Sequence, residues 1–505
     1  MLSFVVVTVS ALACVNRKRE AGEDDFPHEY KGPALCVDDE GRDVLPAATH
    51  PGIYIIIRVD DGPFDNDGDG VMSDMIPRSV LADPTVDGVV FKRSLSVFYR
   101  DHARVPQSSE DYDFSQLEKA LAEVSAHGKV LRFMWIPDIA LRDRGPTGKP
   151  AFLFNEAATG IPIVSGDGSG GCDRHLLDSE TPTCFIEGKS ITGDLPAFPL
   201  PLTWHGNYQK FMRDFITELS GLVGSNPNGE RFVSMATSAT NSKTAEVGGL
   251  PGRKRNDYRV WMDYLSNHLW PTIRDVNGDG AVNHADIKVQ VKEEILGAYK
   301  EMLTHQSREF RRAGATNVRF SIASHGRSFH LQDETMGKEF IEELESYVMS
   351  DCRLTAVAMY SGNGLRWDHD PEKATRFEKY AAEGVPTRWQ TRNESRIYLA
   401  GGRTCDERSY PATAPAALAS SFYGGKWRSA AECKRDLFKG AIDTYFNAAR
   451  ATLGGASAVE IYREQFEDPD LRSGVGGDLF QRFHNEFVAR GLVNARPLEV
   501  SGDGF

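Results

Sequence analysis

Apolar residues in this chain gather into eight short, nearly unbroken runs, and the stretches between them repeat their apolar positions at helical spacing. The runs are 52–59 (GIYIIIRV), 87–93 (DGVVFKR), 129–136 (KVLRFMWI), 231–238 (RFVSMATS), 318–324 (VRFSIAS), 354–360 (LTAVAMY), 385–391 (VPTRWQT) and 457–463 (SAVEIYR). Continuous hydrophobicity, rather than strict alternation, is the mark of parallel strands covered on both faces. Between them, 113–127 places Phe114, Leu117, Leu121 and Val124 on one helical face, and Gly128 ends the segment. Residues 207–222, 336–349 and 434–452 read the same way. Eight strand–helix units predict an α/β fold, a (β/α)8 TIM barrel. A doubly wound sheet is the alternative, but no glycine-rich phosphate loop follows the first strand.

The predicted barrel spans 49–492, with a polar tether and lead-in at 15–48 and a tail at 493–505. Three insertions interrupt it: a Pro/Gly/Asp-rich excursion at 137–203, a helix-loop-helix at 257–312, and an irregular stretch at 393–430. Long segments after the C-terminal ends of strands are where barrels build their binding face.

Charge narrows the partners. A net charge of −14 offers no basic stripe to neutralise phosphates, which argues against nucleic acid. Residues 2–13 (LSFVVVTVSALA) are too few to span a bilayer but match the apolar centre of a secretory leader. The ending Ala-Leu-Ala-Cys resembles a bacterial lipobox, which implies a leader over 1–14, a lipid on Cys14 as the sole membrane attachment, and a secreted or cell-envelope location. Six further cysteines suit disulfides, with Cys172–Cys184, Cys405–Cys433 and Cys36–Cys352 as the expected pairs.

The most specific chemistry is Asp275-Val-Asn-Gly-Asp-Gly-Ala-Val-Asn-His-Ala-Asp286. Its oxygen-bearing residues fall where a twelve-residue calcium loop needs them. Asp275, Asn277 and Asp279 would ligate through side chains, Ala281 through its carbonyl, Asn283 directly or through water, and Asp286 would close the shell. Gly280 makes the turn and Val282 is the apolar anchor. The loop resembles those of EF-hands and dockerins, with Asp rather than Glu at the end. A second acidic loop follows the first strand: Asp65, Asp67, Asp69 and Gly70 start the same pattern, and Asp74, or the neighbouring Asp60 and Asp61, would have to complete it. Ca2+ is the expected ion at both.

Catalytic candidates come from a diffuse resemblance. The stretches DGVVFKRSLSVFYR, DYDFSQLEKALAEVSAHGKVLRFMWIP and YQKFMRDFITELSGLVGSNPNGERFVSMATSATNSKTAEVGG resemble β-galactosidase-type members of clan A glycoside hydrolases, over the pattern of residues 50–470. That likeness implies a carbohydrate substrate and two carboxylates, a general acid/base after strand four and a nucleophile at the end of strand seven. Glu246, the single acid between Arg231 and Gly252, takes the first role. The residue leaving strand seven is Gln390, so Glu394 takes the second, with Glu460 and Glu464 on strand eight as alternates. Glu460 could equally be a buried structural acid paired with Arg93 or Arg388. Arg93, His325 and Tyr360 are expected to position substrate, and Trp135, Trp204 and Trp389 to offer flat faces to sugar rings. A glutamine in place of the nucleophile supports a second reading, a cell-surface carbohydrate-binding barrel without catalysis.

Overall fold

The computed structural model describes residues 36–37, 43–44, 50–58, 62–66, 71–136, 151–161, 163–164, 200–237, 274–276, 278–282, 284–323, 334–350, 357–365, 387–391, 405, 418–419, 426–427, 429–450, 458–473 and 477–491. Eight strands close into a barrel: β1 (Gly52–Ile57), β2 (Gly88–Ser94), β3 (Val130–Ile136), β4 (Phe232–Ala236), β5 (Arg319–Ala323), β6 (Val357–Leu365), β7 (Thr387–Thr391) and β8 (Ala458–Tyr462). Each strand pairs in parallel with its neighbours in sequence, and β8 returns to β1. All eight runs read from the sequence are strands, offset by a few residues at their ends. The fold class is that of a (β/α)8 barrel.

Register decides which way each side chain faces. Glu460 lies beside Gln390 on one side and Tyr54 on the other, and Tyr54 lies beside Gly88. Tyr54, Ile56, Val90, Met134, Ala236, Ala458 and Tyr462 belong to this inward set and pack on one another. The alternate residues, among them Ile55, Phe91, Phe133, Ile322 and Val459, merge with helix side chains such as Leu121, Phe215 and Phe340 in the larger outer core. Burying each of these large side chains contributes about 1.5–3 kcal/mol. Gly88 is a packing requirement, because a Cβ there would lie 2.4 Å from the Tyr54 ring and 2.7 Å from the Val130 carbonyl.

Six longer helices are described: α1 (Ser115–Ala126), α2 (Gly206–Ser225), α3 (His284–Arg312), α4 (Glu334–Ser350), α5 (Ala430–Arg450) and α6 (Leu479–Ala489). In α1 the buried positions are Leu117, Ala120, Leu121 and Val124, as the spacing predicts, and Gly128 takes the left-handed φ of 66° that turns the chain into β3. Of the two helices expected at 257–312, α3 is the second; the first lies outside the described residues.

The insertion after β3 is less irregular than its composition suggests. Ile163–Val164 and Leu200–Pro201 pair as an antiparallel clip, and Phe152, Leu153, Ile161, Leu202 and Trp204 are buried in the outer core. Inside the 393–430 insertion, Leu418–Ala419 pairs with Lys426–Trp427. The expected Cys405–Cys433 disulfide forms and is buried with Trp427 and Leu437. Cys172, Cys184 and Cys352 lie outside the described residues, as do residues 1–35. Among the described residues no helix is long and apolar enough to cross a membrane.

Candidate active site at the barrel mouth

The two ends of the barrel are built differently. At the N-terminal end helices return to strands over short connections, 127–129, 226–231 and 313–318. At the C-terminal end β3, β4 and β7 are followed by 137–205, 237–283 and 392–429 before the next long helix. The long segments all leave from one face, which makes the mouth at the strands' C-terminal ends the candidate site.

The described polar groups at that mouth come from β1, β2 and β8. Arg58, just past β1, donates to Glu464 at 3.1 Å; the two side chains are 37% and 30% exposed. Glu464 sits in the single helical turn Arg463–Phe466 that follows β8. Its second oxygen, Oε2, is buried without a hydrogen-bond partner. The Lys92 ammonium lies 5.4 Å from the centre of the Tyr462 ring, a cation–π contact inside the rim.

Lower in the barrel the inward residues are charged. Arg132 on β3 approaches Glu460 on β8 at 3.7 Å, with exposures of 4% and 1%. The Arg132 guanidinium stacks 3.5 Å over the Tyr54 ring and donates to the His50 carbonyl. Arg319 stands in register with Ser234, and Arg388 donates to the Ser321 hydroxyl. Burial and the neighbouring Arg132 hold the Arg388 pKa down to about 9, despite Glu460. Burial, then Arg132, Arg319 and Arg388, hold His50 down to about 4. At the strands' N-terminal edge Asp87 accepts from the Ile53 amide, and burial raises its pKa to about 6 against the pull of Lys129 and Arg132.

This geometry corrects several expectations. Arg93 turns away from the barrel axis: its Nε donates to Gln116 of α1, its Nη1 to the Arg58 and Lys92 carbonyls, and it stacks on Phe91. The inward residue of that pair is Lys92. Trp135, Trp204 and Trp389 lie in the outer core, Trp135 with its ring 5.9 Å from Phe215, so none presents a face at the mouth. Glu460 is a buried structural acid rather than a mouth residue, and Arg132, not Arg93, is its ion-pair partner. Gln390 is also buried, level with Glu460. Tyr360 lies on β6 in register with Ala323 and Arg388. Glu246, His325 and Glu394 lie outside the described residues.

Arg132, Arg319 and Lys92 were missed, although a signal existed. A charged residue flanked by apolar neighbours in a strand buried on both faces has only the barrel interior to enter, as in LRF and VRF.

The acidic loop at 275–286, where the sequence predicts calcium, wraps on itself. Asp275 accepts from the amides of Gly278 and Gly280, and Asp279 accepts from Ala281. Gly278 and Gly280 adopt φ of 72° and 85°, the left-handed turns the motif requires. Asp286, fully buried in the first turn of α3, accepts from the Val276 amide and so ties the end of the loop to its start. A buried carboxylate closing an ordered acidic loop suits a cation held in oxygen. Val282 departs from the expectation: it is 54% exposed and anchors nothing among the described residues. Asn277 and Asn283 lie outside those residues, and among the described residues no group of three or more His, Cys, Asp or Glu gathers as a metal site.

The acidic loop after β1 closes differently. Asp74 accepts from the Asn66 amide and lies 3.4 Å from the Lys119 ammonium. Asn66 in turn bonds the Ile76 carbonyl and the Arg78 amide, while Glu123 accepts from the amides of Met75 and Ile76. A cation taking Asp74 would have to displace Lys119. Asp65 is described and partly buried; Asp60, Asp61, Asp67 and Asp69 lie outside the described residues.

No protein-family model matches the sequence, and no curated protein does. Solved structures resembling the chain include the catalytic domain of a β-amylase from Paenibacillus polymyxa, at 9% identity over 84% of this chain and 95% of that one, with a TM-score of 0.40. A β-galactosidase from Marinomonas ef1 aligns at 8% identity over 88% of this chain and 61% of that one, TM-score 0.41. Xylanase 10B from Thermotoga maritima aligns at 11% over 82% and 83%, TM-score 0.35. The barrel itself rests on the strand pairing described above.

Proposed function

We propose that the protein hydrolyses glycosidic bonds at the C-terminal mouth of its barrel, as an exported, calcium-stabilised enzyme. The observation that carries this reading is that three long segments leave from one end of a closed barrel, the end that also carries an ion-paired carboxylate, Glu464. Glu246, on the segment after β4, would protonate the leaving oxygen. A second carboxylate, Glu464 or Glu394, would attack the anomeric carbon or activate water. A separation near 5 Å favours the covalent route, and about 6.5–9.5 Å leaves room for water.

Strand β8 lies opposite β4 around the ring, so acids following these two strands start from facing sides of the mouth. Turnover of aryl glycosides tests the assignment. Glu246→Gln should reduce it by about 10²–10⁴-fold while melting is unchanged; near-normal turnover removes Glu246 from the chemistry. Whichever of Glu464→Gln and Glu394→Gln causes the larger loss identifies the second carboxylate.

One observation favours a second reading, a carbohydrate-binding barrel without catalysis. The inward residue near the end of β7 is Gln390, whose amide carries no charge to attack or to stabilise an oxocarbenium centre. Saturable glycan binding without release of reducing sugar would support this alternative.

Ca2+ would be held by Asp275, Asn277, Asp279, the Ala281 carbonyl, Asn283 and Asp286, fixing the start of α3 against the segment that carries Glu246. A lipid on Cys14 would tether the exported protein to a membrane.

A further inference from the structure

Four polar atoms in the lower barrel interior lack the hydrogen bonds that their burial demands. Among the described residues, Arg132 Nε and Nη1, the Ser234 hydroxyl and Glu460 Oε2 are buried without a hydrogen-bond partner. The three residues are 4%, 0% and 1% exposed, so bulk solvent does not reach them. Leaving such atoms unmet is costly, and native interiors rarely do so. Ser234 stands in register with Arg132 on the neighbouring strand, and Glu460 comes within 3.7 Å of Arg132 Nη1. That gap is too long for a hydrogen bond, and the surroundings of Arg132 keep it open. Its Nη2 donates to the His50 carbonyl at 3.0 Å, and its guanidinium lies 3.5 Å over the Tyr54 ring. The Tyr54 hydroxyl donates to the same carbonyl at 2.9 Å, which pins the ring in turn.

The mixture of atoms defines the guest. Guanidinium N–H groups only donate, an ionised carboxylate oxygen only accepts, and a hydroxyl does both. A halide would satisfy the donors but face Glu460 Oε2, and a metal cation would satisfy the carboxylate but face Arg132. A neutral hydroxyl meets all four atoms. Size narrows the choice further. An eight-stranded interior is just wide enough for its own side chains, and Tyr54 stacked on Arg132 already fills part of it. Ile56, Met134, Ala236 and Tyr462 each lie two residues further along their strands than Tyr54, Arg132, Ser234 and Glu460. With Val90 they pack into an apolar layer between this level and the mouth.

We infer that the lower barrel interior is a binding site for one neutral hydroxyl ligand, a single trapped water. It accepts from Arg132, donates to Glu460 Oε2 and shares a hydrogen bond with the Ser234 hydroxyl. The inner Arg–Glu pair is therefore joined through a bridge rather than by direct contact. Three partners are usual for a buried water. Closed off by the apolar layer, this one leaves only when the barrel opens. The site is separate from the sugar chemistry proposed above, and its test needs no glycoside.

Deuterium magnetic relaxation dispersion on the full chain counts the water molecules with long residence in a protein. Arg132→Met with Glu460→Met, which removes both ionic partners, should lower that count by one per chain. Ser234→Val, which fills the space with methyl groups, should do the same. An unchanged count in whichever of these variants folds would overturn the proposal. A high-resolution crystal structure of the parent, grown in bromide, decides without any variant. It should show density within hydrogen-bond distance of Arg132, Ser234 and Glu460, with no anomalous signal. A bromide peak there, a direct Arg132–Glu460 hydrogen bond or an absence of density would each reject the trapped water.

Discussion

Two Arg–Glu pairs tie β8 to earlier strands, and they differ in almost everything except their chemistry. Glu464 meets Arg58 at the mouth, where both are about a third exposed, and Glu460 meets Arg132 in the interior, where both are buried. Water screens the first pair, and its measured analogues contribute about 0–1 kcal/mol. The second has lost its hydration, so each partner depends on the other. Four residues of chain, from inside β8 to the helical turn after it, separate a partly exposed pair at the mouth from one buried in the interior.

The largest expected effect comes from breaking the inner pair. Glu460→Ala should lower unfolding stability by about 3–5 kcal/mol in a denaturant titration, because it strands the buried Arg132 guanidinium without its carboxylate. Replacing both partners, Arg132→Met with Glu460→Met, should recover part of that loss. A loss below about 1 kcal/mol for Glu460→Ala would mean that water already reaches the base, and the distinction between the two pairs would disappear.

Calcium probes the comparison from the rim. The loop at 275–286 lies between β4 and α3, outside the charged interior, so its contribution should be independent of Glu460. Saturating calcium at about 100 times its Kd should add about 2.7 kcal/mol, measured as a chelator-sensitive rise in melting temperature. Asp275→Ala with Asp279→Ala should abolish that rise. If the double variant keeps it, the ion sits elsewhere, and the loop after β1, where Lys119 competes for Asp74, becomes the place to look.

Acidity separates the ends more gently. His50 titrates near pH 4 in the fold and near 6.5 when unfolded. As pH falls through that window the unfolded chain takes up a proton that the fold refuses, so stability is lost. Asp87 runs the other way: raised from 3.8 to about 6, it binds its proton in the fold first, and stability is gained as pH falls over that range. The two windows overlap, and the base should be nearly indifferent to pH between about 6.5 and 4. Asp87→Asn removes the compensating half, exposing a loss on the order of 1–2 kcal/mol on acidification, once partial solvent screening is allowed for. An unchanged pH profile in this variant would show that burial and the arginines do not shield His50 from its proton.

The fold was legible because hydrophobic runs and helical periodicity are local signals; each barrel strand and five of the six described long helices announce themselves within their own residues, α6 (Leu479–Ala489) being the one not singled out. Orientation was not. A parallel strand is apolar on both faces, so nothing in KVLRFMWI separates the helix side from the axis, and Trp135 was assigned to the mouth although it packs on Phe215. The same ambiguity exchanged Arg93 for Lys92. Both errors are one-residue errors of facing, which only the register between strands resolves. The reading of Glu460 as a structural acid was accessible because a lone carboxylate among Val, Ile and Tyr must have a partner. Which arginine it meets depends on closure of the barrel, which brings β3 across the interior from β8. The turn chemistry of the 275–286 loop was local and therefore readable, whereas the exposure of Val282 depends on what packs beside it.

The mouth pair should give the smallest change in stability and the most informative change in behaviour. Arg58→Gln removes a charge that is already hydrated, so unfolding stability should move by less than about 1 kcal/mol, and added salt should leave even that difference smaller. If sugar chemistry takes place here, freeing Glu464 from Arg58 should still alter turnover of an aryl glycoside, because the carboxylate loses the group that fixes its direction. A fall of about tenfold in kcat/KM, equivalent to about 1.4 kcal/mol of transition-state stabilisation, with melting unchanged, would assign the outer pair to function and the inner pair to architecture. Equal losses of stability from Arg58→Gln and Glu460→Ala would mean that both pairs brace the same structure. The catalytic carboxylates would then have to be sought on the segments after β4 and β7 alone.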